Sequence, residues 1–176
     1  MQGIYQPAED SLFLSKFLKK EIVKIKPKKI LDMGSGSGIQ AKTCIKSGIK
    51  PKQITLADIN KSAIDILRKR FPDSKVISSD LFGKIKERYD LIVFNPPYLP
   101  ENEFDREQDT TGGKNGSEVI NRFLEQAKDH LLPEGIILIL TSSLTKRIDW
   151  SGYRKRLLGK KKLFFEELYV WELNSK

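Results

Sequence analysis

The chain has 176 residues, a formal net charge of +9 from 32 Lys and Arg against 23 Asp and Glu, and 39% hydrophobic residues. That length suits one domain, residues 1–176, able to bury roughly two-thirds of the surface its unfolded form exposes, and no run approaches the ~18 consecutive apolar residues of a membrane span. A single cysteine, Cys44, excludes an internal disulfide, and a single histidine, His130, cannot build a zinc site with it, so no metal is expected; without a basic-then-apolar leader, the chain reads as soluble and cytoplasmic.

In chain order, Ala8 to Ile25 carries Leu12, Phe13, Phe17, Leu18 and Ile22 near helical spacing, with Glu9 and Asp10 suited to a helix start. "KKILDMG" reads as a short buried strand running into "GSGSG", and "IQAKTCIKSG" as a helix stopped at Gly48. "QITLADI" is a strand, "KSAIDILRKRF" a helix capped by Asn60, and "KVISSD" a third strand. "YDLIVFN" is the fourth strand, Glu118 to Leu132 the next helix, and "GIILILTSS" the fifth strand. A short helical stretch from Leu144 is expected next, then "YRKRLL" and "ELYVWEL" as a terminal hairpin. Alternating strands and helices of these lengths demand a mostly parallel α/β sheet covered on both faces, with ligands beyond the strand carboxyl ends.

Three strand ends then carry a ligand-binding pattern. Gly34, Gly36 and Gly38 follow a strand and open a helix, where missing side chains admit a ligand to the backbone. Asp58, twenty positions after Gly38 and followed by Ile59, ends the second strand, where a carboxylate can accept from two ribose hydroxyls; the plainer role for it is a helix cap or a surface charge. Asp80 ends the third strand, placed to accept from an adenine amino group, with the Leu81 N–H beside it for a ring nitrogen. Together these residues describe an adenosine-containing ligand. The spacing does not separate a dinucleotide from S-adenosylmethionine.

The fourth strand ends in Asn95, Pro96, Pro97 and Tyr98. Two prolines fix φ and remove N–H donors, so the Asn95 side-chain oxygen and the Pro96 carbonyl can accept both hydrogens of one planar –NH₂ group, while Tyr98 stacks on its plane. That arrangement suits methyl transfer to a poorly nucleophilic amide or aromatic amine. A rigid turn closing a buried strand explains the prolines but leaves Asn95 and Tyr98 without a reason.

In this order, "LDMGSGSG", "ADIN", "SSDLF" and "VFNPPY" resemble the amino-methylating class I S-adenosylmethionine-dependent methyltransferases over nearly the whole chain. "YQPAEDS", Tyr5 to Ser11, and "GGKNG", Gly112 to Gly116, resemble more narrowly the eukaryotic and archaeal release-factor glutamine methyltransferases related to the HemK proteins. The resemblance implies a seven-stranded Rossmann-like sheet with an antiparallel last strand. It implies S-adenosylmethionine as cofactor, S-adenosylhomocysteine as product, and N5-methylation of glutamine in the Gly-Gly-Gln motif of a translation release factor. It also implies that Tyr5, Pro7, Glu9 and Asp10 help close the cofactor pocket, that Asp32 and the three glycines line its methionine end, and that Asn95 stands between cofactor and substrate. A small zinc-binding activator subunit is a further implied partner, with "KVISSD" as the edge it covers. The extra N-terminal helical domain of the longer bacterial enzymes has no room here.

Other residues take plainer readings. Trp150, Trp171, Phe164 and Phe165 suit C-terminal core packing, His130 a helix-end cap or surface position, and Cys44 a buried helix face. "DREQDTTGG" suits a loop over the substrate mouth. Charge keeps a second methylation target open, an adenine N6 or guanine N2 amine of nucleic acid, although the lysines are interleaved with apolar residues as solvated faces are. A noncatalytic scaffold subunit would not need Asn95 and Tyr98, and a dinucleotide oxidoreductase would have no use for the strand-end prolines.

Overall fold

The computed structural model describes residues 9–101, 111–163 and 165–176. Helix α1, Glu9–Ile25, leads into β1, Ile30–Met33, and α2, Ile39–Lys46; β2, Ile54–Asp58, α3, Lys61–Arg70, and β3, Lys75–Ser78, follow. Strand β4, Tyr89–Phe94, helix α4, Glu118–Ala127, and strands β5, Leu131–Ser142, β6, Tyr153–Leu163, and β7, Glu166–Ser175, complete the order. The seven strands lie as β3-β2-β1-β4-β5-β7-β6. Strands β1 to β5 pair in parallel, and β7 runs antiparallel to both β5 and β6. The chain leaves β1 in one direction toward β2 and later returns beside it as β4, which puts the topological switch point between β1 and β4.

All residues of β1 and β2 are buried because both sheet faces are covered. One face packs Leu14, Phe17 and Leu18 of α1, with Ala41 and Cys44 of α2, on Ile30, Leu56, Val93 and Leu138. The opposite face packs Ile120, Phe123 and Leu124 of α4 on Leu31, Ile92, Phe94 and Ile137. Burying either apolar helix face stabilises by about 1.5–3 kcal/mol per large side chain, an upper estimate since unfolded chains are partly collapsed. Cys44 sits in the first core as a free thiol, 1% exposed.

Three expected elements differ. The helix beginning at Glu118 stops at Ala127, tightens into a 3₁₀ turn over Lys128–His130, and gives way to strand at Leu131 rather than reaching Leu132. Pro133 explains this, since it lacks an N–H and biases Leu132 toward extended backbone. No helix forms from Leu144; the segment to Gly152 is turn and irregular chain. Its polar groups are engaged sideways: the Thr145 hydroxyl donates to the Tyr98 carbonyl, Asn121 Nδ2 donates to the Arg147 carbonyl, and Asp149 accepts from the Ser151 N–H, all in competition with helical bonds. Strand β6 extends well past Leu158 through an irregularity at Gly159, where a Cβ would stand 2.3 Å from the Phe17 ring.

The aromatic readings divide. Trp150 and Trp171 pack against the second core, but Phe165 is 84% exposed at the hairpin tip, where no core reaches it, and Phe164 lies outside the described residues. His130 is half-buried, its ring stacked on Phe82 with centroids 4.5 Å apart and its Nδ1 3.0 Å from the Glu87 carbonyl. No helix among the described residues is long and apolar enough to cross a membrane.

Candidate active site

A cavity of about 380 Å³ opens beyond the carboxyl ends of β1, β2 and β4, at the switch point. The glycine loop forms its floor. Gly34, Gly36 and Gly38 have φ of 60°, 49° and 77°, values that side-chain-bearing residues rarely adopt, and the turn is closed by the Gly38 N–H on the Ser35 carbonyl at 2.7 Å. The Asp58 carboxylate ties this loop to β2: Oδ2 accepts from the Gly36 N–H at 2.7 Å and Oδ1 from the Asn60 N–H at 2.8 Å. Asn60 in turn caps α3 through the Ser62 and Ala63 N–H groups.

Below the loop, Asp32 is 2% exposed and accepts from the Ala41 N–H at 3.2 Å near the start of α2. Burial pushes its carboxyl up to about 7; the Ala41 bond opposes the shift and the neighbouring Asp58 charge adds to it.

The structure brings Asp10, Asp32, Gly34, Gly36, Asp58, Ile59, Asp80, Leu81, Asn95, Pro96, Pro97 and Tyr98 to this one cavity. It leaves others apart. Gly38 is not in the cavity wall: a Cβ there would fall 2.3 Å from the Phe71 ring, so its glycine serves the packing of α2 on α3. Glu9 faces solvent and pairs with Lys161 of β6 at 2.6 Å. Tyr5 and Pro7 lie outside the described residues, as do residues 105–110 of the expected substrate-mouth loop; Thr111 of that loop lines the cavity.

Asn95 lies directly after β4, half-buried, while Pro96 is buried. Its Nδ2 donates to Asp10 Oδ2 at 3.2 Å and to Ser11 Oγ at 3.1 Å; its Oδ1 is buried and has no hydrogen-bond partner among the described residues. A buried acceptor left without a donor costs about 1–3 kcal/mol. The Tyr98 hydroxyl also donates to Asp10 Oδ2, at 3.3 Å.

Sequence reasoning missed several wall residues. Ser11 and Gln40 are 3% and 4% exposed, and Gln40 Nε2 donates to the Ser11 carbonyl, joining α2 to α1 beside the cavity. A glutamine on the buried face of α2 was the available signal. Arg122 of α4 reaches Asp80, Nη2 to Oδ2 2.7 Å, and nothing in its helical position marks it. The wall thus holds four carboxylates, Asp10, Asp32, Asp58 and Asp80, against one guanidinium among the described residues. That balance suits a cationic ligand and disfavours a pyrophosphate.

A doubly wound sheet with a glycine loop after β1, a carboxylate after β2 and Asn-Pro-Pro-Tyr after β4, all at one switch-point cavity, defines a class I methyltransferase. The Methyltransferase small domain family matches residues 10–147. MJ0928 of Methanocaldococcus jannaschii, whose name provisionally assigns it protein N5-glutamine methylation, is 34% identical over 97% of this chain and 92% of its own. Human methyltransferase HEMK2 is 32% identical over 78% of this chain and 71% of its own. Among solved structures, a chain of the Encephalitozoon cuniculi Mtq2–Trm112 complex, responsible for methylation of the translation termination factor eRF1, superposes with a TM-score of 0.75 at 25% identity, covering 98% of both chains. The chain therefore belongs to the Methyltransferase small domain family.

Proposed function

We propose that residues 1–176 act as one S-adenosylmethionine-dependent methyltransferase domain that methylates the glutamine side-chain nitrogen of a translation release factor, in the cytoplasm where that factor works. The observation that carries the reading is the buried, unpartnered Oδ1 of Asn95, a residue that lines the cavity shared with the glycine loop. The cavity fits the methyl donor: its volume lies in the range of small-molecule sites, its predominantly acidic wall suits a ligand carrying a sulfonium and an ammonium, and the glycine backbone admits close approach. Gly34 and Gly36 with Asp32 would hold the methionine portion, Asp58 and Ile59 the ribose, and Asp80 with the Leu81 N–H the adenine.

When bound, S-adenosylmethionine supplies a methyl group that passes to nitrogen while sulfur keeps the electron pair of the broken C–S bond. Asn95 Oδ1 and the Pro96 carbonyl accept the two N–H bonds of the substrate amide and so aim its lone pair away from them. In the amide ground state that lone pair is delocalised; two fixed acceptors favour the rotated nitrogen and the positive charge that develops on it. One N–H proton then leaves the methylated nitrogen to solvent. Tyr98 covers the amide plane, and the rigid prolines keep these positions from adjusting to a misplaced acceptor.

The likeness to the Mtq2–Trm112 complex supports a small activator as partner, of the zinc-binding kind the sequence resemblance implies. The place for it is the open edge of β3, where Val76 and Ile77 are half-buried. The deciding experiment supplies isotopically labelled S-adenosylmethionine with release factor and with total RNA as separate acceptors. Label on the release-factor glutamine, lost in Asn95→Ala, is expected. Label confined to RNA would transfer the same amine clamp to a nucleobase and overturn the protein substrate.

A further inference from the structure

Asn95 and Asp10 are bound together more closely than separate places in a cofactor pocket require. Asp10 is 4% exposed in the first turn of α1, and both of its oxygens are fixed: Oδ1 accepts from the Ser11 N–H at 2.5 Å, and Oδ2 accepts from Asn95 Nδ2 at 3.2 Å and the Tyr98 hydroxyl at 3.3 Å. The turn itself is held, since Gln40 Nε2 and Ser15 Oγ both donate to the Ser11 carbonyl at 2.9 Å.

A primary amide has nearly the same shape when turned over, so sterics alone cannot tell Asn95 which end to point at the substrate. The Ser11 hydroxyl cannot decide either, because it donates or accepts as required. A carboxylate only accepts. It draws Nδ2 toward itself and leaves Oδ1 at the other end of the amide, buried and unpartnered among the described residues of a cavity-lining side chain. The overturned amide would set oxygen against carboxylate and N–H against the substrate's own N–H, two mismatches at once.

We propose that Asp10 is the positioning residue of the amine clamp: it selects the amide orientation in which Asn95 Oδ1 receives the substrate N–H, and it holds the Tyr98 hydroxyl on the same oxygen. This rests on the reading of Asn95 as the acceptor for the substrate amine.

Exchanging the two functional groups tests it. Asp10→Asn offers both a donor and an acceptor and loses the choice of orientation; Asn95→Asp sets two carboxylates together. The pair Asp10→Asn with Asn95→Asp reverses the bond and again leaves an acceptor facing the substrate. Each single change should lower kcat, measured at saturating S-adenosylmethionine, by about 30-fold or more. The exchanged pair should recover about ten-fold over the better single variant. A normal kcat in Asp10→Asn, or a pair no better than the worse single variant, overturns the inference.

A readout free of turnover is the Asn95 side-chain amide resonance in the full chain labelled with ¹⁵N-asparagine, identified by its loss in Asn95→Ala. It should exchange slowly with solvent in the parent and rapidly in Asp10→Ala; equal exchange overturns the inference. Full turnover in Asn95→Ala would instead remove the clamp reading itself. A dead Asn95→Ala beside a normally active Asp10→Asn removes only the role given to Asp10.

Discussion

Gly112 lies against the backbone of Pro97 so closely that a Cβ on it would stand 2.5 Å from the Pro97 carbonyl oxygen and 2.4 Å from that of Gly116. The Gly112 N–H donates to the Leu99 carbonyl at 2.9 Å, and its own carbonyl accepts from the Glu118 N–H at 3.0 Å at the start of α4. Glu118 folds back to accept from the Asn115 and Ser117 N–H groups, closing the loop between them. The strand-end prolines are therefore held from behind by glycine backbone, with the Thr145 hydroxyl on the Tyr98 carbonyl at 2.8 Å as a second brace.

Gly112→Ala must push Pro97 or the loop away, because backbone atoms rather than a flexible side chain fill the space. A displacement approaching 1 Å at the clamp is expected to lower kcat by about 100-fold. The glycine loop and Asp58 are untouched, so cofactor affinity should change by no more than a few-fold. Single-turnover methylation beside calorimetric titration separates the two, and an unchanged kcat would refute the bracing role.

Arg122 and Asp80 form an ion pair at 2.7 Å with both side chains about half exposed, 53% and 52%. Such a pair is worth about 0–1 kcal/mol to stability, so Asp80→Ala should move Tm by only ~4 °C or less. In the proposed cofactor mode the same carboxylate accepts from the adenine amine, and its loss should weaken S-adenosylmethionine about ten-fold. A donor analogue with hydrogen in place of that amine, which keeps the ring nitrogen an acceptor, should bind the parent more weakly than S-adenosylmethionine but Asp80→Ala equally well. If the variant still distinguishes the two, Asp80 does not read the purine edge.

Which parts of this site the sequence could disclose follows from the range of the forces involved. The runs at Ile30 to Met33, Ile54 to Asp58 and Leu91 to Phe94 are legible because strands covered on both faces must be mostly apolar. Gly34 and Gly36 are legible because the turn needs φ near +50° to +60° at both. The segment after Leu144 misleads because Thr145 and Asp149 spend their polar groups on neighbours and turns that helical periodicity ignores. The bond between Asp10 and Asn95 spans 85 positions, and only the sheet order that sets β4 beside β1, under α1, brings them together. Arg122 meets Asp80 for the same reason, with 42 positions between them.

Asp32 makes the stability of the cofactor-free protein depend on pH in a direction opposite to that of a salt-bridged carboxylate. Its folded value of about 7 lies above the ordinary 3.8, chiefly because burial penalises the charged form. Between those values the folded state binds the proton and the unfolded state does not, so unfolding free energy falls as pH rises. The stabilisation from the protonated group is fully present below pH ~4 and lost as pH passes through about 7, on the order of a few kcal/mol across the window. Asp32→Asn keeps the shape and an acceptor for the Ala41 N–H without the titration. Chemical denaturation at several pH values between ~5 and ~8 should therefore show the parent losing stability relative to Asp32→Asn as pH rises, with the gap levelling above pH ~8. Parallel curves for the two proteins would mean that Asp32 ionises in the fold as readily as in the unfolded chain, and that its burial carries no electrostatic cost.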